Sequence, residues 1–192
     1  MDLKDPTTAA LLAADALEKA KLRHALYGGL LLAAYGEPRE TRDVDLAVVD
    51  LGTQAARDAL ARAGIDSEVS FEETRFGGLL VARLMLLGGE ATLGLNTVDL
   101  VRPRSARYAE AALGRAVSAP LRDRTVRVLT PEDFVLFKLL STRDRDLDDA
   151  VSVKRRGEAL DEDLIRREVA ALAREIPDFD VRRRHDAFRA AR

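Results

Sequence analysis

The pattern of apolar and polar positions divides the chain into segments of two periods. Ala is abundant from Thr7 to about Ala25, and Leu11, Leu12, Leu17 and Leu22 recur at roughly helical spacing, which predicts a helix. Tyr27-Gly28-Gly29 and the apolar run Leu30–Tyr35 follow, and Gly36-Glu37-Pro38-Arg39-Glu40 reads as a loop. From Asp43 to Val49 the period falls to two. Val44, Leu46 and Val48 share one face of the expected strand, while Asp43, Asp45 and Ala47 share the other. Gly52–Ala63 is expected to be helical, with Gly64 as its stop. Two β-rich runs, Leu79–Leu87 and Ala91–Val101, flank Gly88-Gly89 as a hairpin turn.

Ser105 to about Arg115 is again helical and Thr125–Leu129 is a short strand. Thr130-Pro131-Glu132-Asp133 is a strong helix start, with Thr as cap, Pro at the first helical position and acids in the first turn. Asp161 caps a later helix whose stripe is Leu164, Ile165, Val169, Leu172 and Ile176. The expectation is an α/β (α+β) chain: a mixed-sheet core over residues 1–129 and a helical C-terminal region over 130–192. No Gly/Ser-rich linker separates them, so they are expected to pack as one body.

Composition narrows the class. With 192 residues, 47% apolar and 33% charged, the chain is globular and long enough to bury a core. The absence of cysteine excludes disulfides, thiolate metal sites and Cys nucleophiles, and fits a reducing cytosol. No basic segment followed by an apolar run suggests a signal peptide, and no stretch reaches the roughly 18 apolar residues of a membrane span. A soluble, cytoplasmic protein is expected. The net charge of -2 gives no global signature of a nucleic-acid binder. Only Val181–Arg192 is locally basic, with Arg182, Arg183, Arg184, Arg189 and Arg192 against Asp186. Such a run can contact phosphates, although a solvated helix face gives the same pattern.

The chemistry concentrates in Asp43-Val44-Asp45. Two carboxylates projecting side by side from a strand repel each other, and a cation between them removes that cost. Oxygen ligands without nearby His or Cys favour Mg2+ or Mn2+ over zinc. Asp99 is a lone acid in the apolar strand Leu95–Val101. Were that strand to lie beside Asp43–Val49, three carboxylates would converge, an arrangement suited to metal-assisted phosphoryl or nucleotidyl transfer. Gly28-Gly29 at the mouth of a helix lets backbone N–H groups approach phosphate. No P-loop or dinucleotide-binding glycine pattern is present.

Gly28-Gly29, Gly36-x-Pro38-Arg39-x-Thr41-x-Asp43-x-Asp45 and Asp99 resemble the DNA polymerase β-type nucleotidyltransferase superfamily. More narrowly, the chain is similar to the bacterial AbiEii/AbiGii-like group, which includes toxins of toxin–antitoxin pairs. The likeness continues in Leu129–Phe134 and in Phe137-Lys138-Leu139-Leu140-Ser141-Thr142-Arg143-Asp144-Arg145-Asp146-Leu147-Asp148-Asp149, and covers roughly Tyr27–Ala150. It implies transfer of NMP from an NTP with release of pyrophosphate, aided by two Mg2+ or Mn2+ ions. By resemblance, Asp43, Asp45 and Asp99 are metal ligands and Asp99 also a base. Gly28 and Gly29 hold the triphosphate. Lys138 neutralises phosphate charge with Arg39 or Arg143, and Thr41 supports the loop or touches a phosphate. Asp146 and Asp149, on one helix face, orient Lys138 or Arg143. Many relatives have Gly-Ser where this chain has Gly28-Gly29, so any role of that hydroxyl is absent.

Plainer readings accompany these. Asp99 can pair with an arginine, Lys138 can snorkel from an apolar helix, Arg143–Asp149 can be a salt-bridged surface turn, and His24 suits a surface or helix-end position. The expected acceptor is RNA, with tRNA first, or protein, and the resemblance adds an antitoxin as partner. A small-molecule, aminoglycoside-like acceptor and a non-catalytic binding module are the alternatives.

Overall fold

Residues 2–50, 52–88 and 91–191 are described in this computed structural model. Helix α1 (Pro6–Lys19) begins where the Asp5 carboxylate accepts from the Thr8 amide and Pro6 takes the first helical position. It ends well before Ala25. Lys21 adopts a left-handed φ of 57°, and the Leu22 amide closes back on the Leu17 carbonyl, a stop that helical spacing of leucines does not reveal. His24–Tyr27 are thereby released to form β1, a fully buried strand. His24 is accordingly a buried strand residue, its Nδ1 2.8 Å from the Leu22 carbonyl, not a surface one.

Gly28-Gly29 open helix α2 (Gly28–Tyr35). Strand β2 (Asp43–Val48), helix α3 (Thr53–Arg62) and strand β3 (Ser67–Phe76) come next. Strand β3 was not anticipated from the pattern. It lies at the sheet edge with Glu68, Glu72 and Glu73 exposed, charges that discourage edge-to-edge pairing; its apolar alternation is limited to Val69 and Phe71 and breaks at Glu73, where pairing with β4 shifts register. Strands β4 (Leu79–Gly88) and β5 (Ala91–Pro103) pair antiparallel as the expected hairpin, although Gly89 of its turn lies outside the described residues. After α4 (Ala106–Arg115) come β6 (Val117–Leu121), also unanticipated, and β7 (Arg124–Val128).

Among the described residues, seven strands form one mixed sheet in the order β3-β4-β5-β2-β1-β7-β6. The arrangement that matters is local: β2 runs parallel to β5 and antiparallel to β1. Val44, Leu46, Leu84, Leu86, Val98 and Leu100 bury the centre of the sheet, and α1 packs on β1, β2 and β5.

Helices α5 (Pro131–Leu140), α6 (Asp144–Arg155), α7 (Glu162–Glu175) and α8 (Val181–Ala190) complete the chain. Thr130 caps α5 by accepting from the Asp133 amide, and Asp161 caps α7 likewise from Leu164. Phe134 and Phe137 of α5 set their rings 5.7 and 5.1 Å from that of Tyr27, joining this helix to the sheet. The fully buried Asp133 accepts a two-pronged bond from Arg115 (2.9 and 2.7 Å) and another from the Tyr108 hydroxyl (2.9 Å), which locks α4 to α5.

Candidate active site

One row of side chains crosses five strands. Register places Phe71 opposite Arg83, Arg83 opposite Asp99, Asp99 opposite Asp45, and Asp45 opposite Tyr27. Directly opposed residues share a face of the sheet. All five, together with Arg143, line a cavity of about 110 Å³. In the adjacent row Thr97 lies opposite Asp43 and donates to its Oδ1 at 2.8 Å. The neighbouring of β2 and β5 that would bring Asp43, Asp45 and Asp99 together is therefore present.

The three acids sit in different surroundings. Asp43 is half-exposed. Burial pushes the Asp45 carboxyl up to about 6, and the Asp99 charge across the strand pair adds to the effect. Asp99 is buried and holds Arg83 in a fork, Nε–Oδ1 2.7 Å and Nη2–Oδ2 2.7 Å. The same guanidinium lies 3.8 Å from Asp43 Oδ2 and 5.7 Å from the centre of the Phe71 ring. The Asp99 bond holds Arg83 protonated beyond its ordinary range.

Gly28 is required by its surroundings. Its φ is 70°, and a Cβ there would lie 1.8 Å from Asp45 Oδ2. Beside it, a Cβ on Gly29 would meet Thr41 at 2.7 Å. Thr41 donates to the Asp43 carbonyl at 3.2 Å, so it braces the loop that leads into β2. Gly28→Ala is expected to cost about 1–3 kcal/mol of stability through the left-handed φ. Displacing Asp45 should also cost ~10²-fold in activity. Denaturant melts and turnover of the purified variant check both.

Behind the row, charges alternate. Arg39 grips Asp149 through Nε (3.0 Å) and Nη2 (2.9 Å), Lys138 Nζ reaches Asp149 (2.8 Å) and Asp146 (2.6 Å), and Arg143 Nε reaches Asp146 (2.8 Å). Lys138 is 2% exposed, and its ammonium also lies 5.2 Å from the centre of the Tyr27 ring. It is enclosed between its two acids, whereas Arg143 is largely exposed and borders the cavity. Burial pushes the Asp146 carboxyl up, but Lys138 and Arg143 outweigh it and hold it at about 2. Asp149 is likewise raised by burial, then brought below its ordinary value by Arg39 and Lys138. Arg143 to Asp149 is thus the start of a helix whose two buried acids organise three cations.

Arg83, Tyr27, Phe71 and Thr97 were not singled out from the sequence. Arg83 carried the same signal as Asp99, a lone charge in an apolar strand. The Tyr27 hydroxyl is buried without a hydrogen-bond partner among the described residues, which only the fold discloses.

Asp43 and Asp45 suit a hard divalent cation. They offer oxygens on one face, no His lines the cavity, and burial together with the Asp99 charge raises the Asp45 pKa, a cost that a cation would relieve. Asp99 stands differently, with both oxygens engaged by Arg83. As the side chains stand, no group of three or more His, Cys, Asp and Glu among the described residues is arranged to hold a metal.

Asp43 and Asp45 thus share one strand of a mixed sheet, and Asp45 stands against the backbone of Gly28, which opens α2. Residues 7–184 match the family described as "Nucleotidyl transferase of unknown function (DUF2204)", and the chain belongs to that family. No curated protein matches it by sequence. Similar solved structures include an antigenic nucleotidyltransferase-like protein from Paracoccidioides brasiliensis, with 18% identity and a TM-score of 0.55 over 93% of this chain and 91% of that one. The solution structure of the antibiotic-resistance factor ANT(2'')-Ia is similar too, with 16% identity and a TM-score of 0.55 over 91% of this chain and 97% of that one. At such identities the likeness is one of fold. The fold is that of a nucleotidyltransferase, and no helix among the described residues is long and apolar enough to cross a membrane.

Proposed function

We propose that this nucleotidyltransferase moves NMP from an NTP to a hydroxyl of RNA, using a divalent cation held by Asp43 and Asp45. The observation that carries the reading is the cross-strand row that sets Asp45 between Asp99 and the Gly28 backbone. Mg2+ or Mn2+ bound there would neutralise charge on the attacking and leaving oxygens. The backbone of Gly28 and Gly29 opens α2 toward the triphosphate. Arg39, Thr41 and Arg143 flank it, and Lys138 serves from beneath by fixing Asp149 and Asp146, which hold Arg39 and Arg143. The acceptor oxygen bonds to the α-phosphorus, the bond from that phosphorus to the bridging oxygen breaks, and pyrophosphate leaves. The hydroxyl proton passes to a carboxylate of the row, Asp99 by the resemblance. Nucleotide-sized sites run to ~300 Å³ or more, so ribose and base lie across the mouth of the 110 Å³ cavity rather than within it.

Support for a polyanionic acceptor comes from α8. Arg184 donates to the Arg143 carbonyl at 2.9 Å, and Arg182 and Arg183 are exposed on the same helix. Replacing Arg182 and Arg183 by Gln is expected to weaken RNA labelling about ten-fold and to reduce the salt slope of binding by roughly 2, with NTP binding unchanged. Labelling with an α-labelled NTP and a mixed tRNA pool over a salt series measures this, and indifference to both arginines would remove RNA as the acceptor.

A small-molecule, aminoglycoside-like acceptor is the second reading. The fold likeness to ANT(2'')-Ia favours it, and a cavity of about 370 Å³ bordered by Asp144, Asp180, Arg183 and Arg184 offers room for one. An aminoglycoside panel in the same assay separates the two. The AbiEii/AbiGii-like resemblance, which rests on the motifs alone, adds a toxin role; expression should then slow host growth and Asp45→Ala should restore it.

A further inference from the structure

Three carboxylates gathered at one place need compensating positive charge, and Arg83 reaches two of them, Asp99 and Asp43. It forks both oxygens of Asp99 at 2.7 Å and stands 3.8 Å from Asp43 Oδ2. The Phe71 ring, opposite Arg83 in the sheet, also lies under the guanidinium, 5.7 Å from its carbon to the ring centre. An ionised carboxylate offers about four acceptor positions, and a fork of this kind occupies two of them. A divalent ion drawn toward Asp43, Asp45 and Asp99 would meet a fixed positive charge that already holds one acid and touches another.

We infer that Arg83 is a built-in counter-ion that competes with the divalent cation for the acid row, so that loading the metal requires the guanidinium to give up its hold on Asp99 and Asp43. The inference rests on the metal-site reading above. In the metal-free protein the row is partly self-neutralised, and the bare ion binds weakly. An ion arriving with a triphosphate brings its own negative charge, which offers the released guanidinium a new partner. Arg83 therefore acts as a positioning residue that couples metal binding to nucleotide binding.

The test is Mn2+ binding by the full chain without nucleotide, read by the electron spin resonance of free Mn2+. Arg83→Gln should bind Mn2+ about ten-fold more tightly than wild type, equivalent to ~1.4 kcal/mol. It should also show less enhancement of Mn2+ binding by a non-hydrolysable NTP analogue. Arg83→Lys keeps the charge but loses the fork, so its affinity should rise by a smaller factor, about three-fold; this variant decides the matter should the Gln variant not fold. Equal or weaker Mn2+ binding by the folded variants would overturn the inference, leaving Arg83 as no more than an anchor for Asp99. Asp45→Asn in the same assay separates the two ideas. Loss of Mn2+ binding there with no effect of Arg83→Gln rejects the counter-ion alone, whereas Mn2+ binding that survives Asp45→Asn rejects the metal site and the inference built on it.

Discussion

Asp45→Asn should abolish nucleotidyl transfer while making the metal-free protein more stable near neutral pH. The loss of activity follows from the chemistry. A cation held by Asp43 and Asp45 supplies several kcal/mol of charge stabilisation, so removing one of the two ligands should lower kcat/KM by ~10³-fold or more. The gain in stability follows from burial and from Asp99, which raise the Asp45 pKa from an ordinary 3.8 to about 6. Below about pH 4 the carboxyl is protonated in both folded and unfolded chains and costs nothing. Between there and pH 6 the unfolded chain ionises freely while the folded one resists, and the cost is complete above pH 6. Allowing for the partial exposure of Asp45, the penalty is on the order of 1–3 kcal/mol. Denaturant melts in EDTA should show the variant ahead of wild type at about pH 7.5 and level with it at about pH 4. A variant less stable than wild type at the higher pH would mean that Asp45 is satisfied without a cation.

The largest structural loss should come from Lys138→Met. The ammonium is 2% exposed and holds Asp146 at 2.6 Å and Asp149 at 2.8 Å. Breaking a buried pair by removing one partner costs about 3–5 kcal/mol, because the remaining charge is left uncompensated. For a chain of this length that corresponds to a fall in Tm on the order of 10 °C. Arg39 and Arg143 still face the two acids, which keeps the loss toward the lower figure. Adding Asp146→Asn to Lys138→Met should restore part of the stability, since the orphaned charge is then gone. The depressed pKa of Asp146 gives the network its pH window. Its contribution is present above the ordinary carboxylate range and fades as pH falls toward about 2. A Lys138→Met protein as stable as wild type would show that the ammonium is not holding these acids together.

Much of the site could be read from the sequence because charge in an apolar strand is conspicuous. Asp43, Asp45 and Asp99 each stood against apolar neighbours, and a helix start at Gly28-Gly29 needed only two residues to suggest it. The same argument applied to Arg83, within Leu79–Leu87, yet its meaning depends on register: only β4 lying beside β5 sets Arg83 against Asp99. Tyr27 carried no charge to mark it, and its place opposite Asp45 depends on β1, a short strand concealed behind an alanine-rich helix. Edge strand β3 was hidden because its apolar alternation is limited to Val69 and Phe71 and is interrupted at Glu73, where its pairing shifts register. For the helices the capping residues were the better guide, since Thr130 and Asp161 mark α5 and α7 where periodicity alone overran α1. Lys138 and its acids were visible as a cluster. That the lysine is enclosed rather than at the mouth required the packing of α5 against α6 and β1.

The most direct test of nucleotidyl transfer at this row is to compare two labels in one reaction. Purified protein would be incubated with each NTP labelled either at the α- or the γ-phosphate, with Mg2+ and a mixed tRNA pool, beside an Asp43→Ala control. The account predicts α-label joined covalently to the acceptor, γ-label released as pyrophosphate, and neither event with the variant. Transfer of the γ-label, or α-label transfer that survives Asp43→Ala, would contradict it.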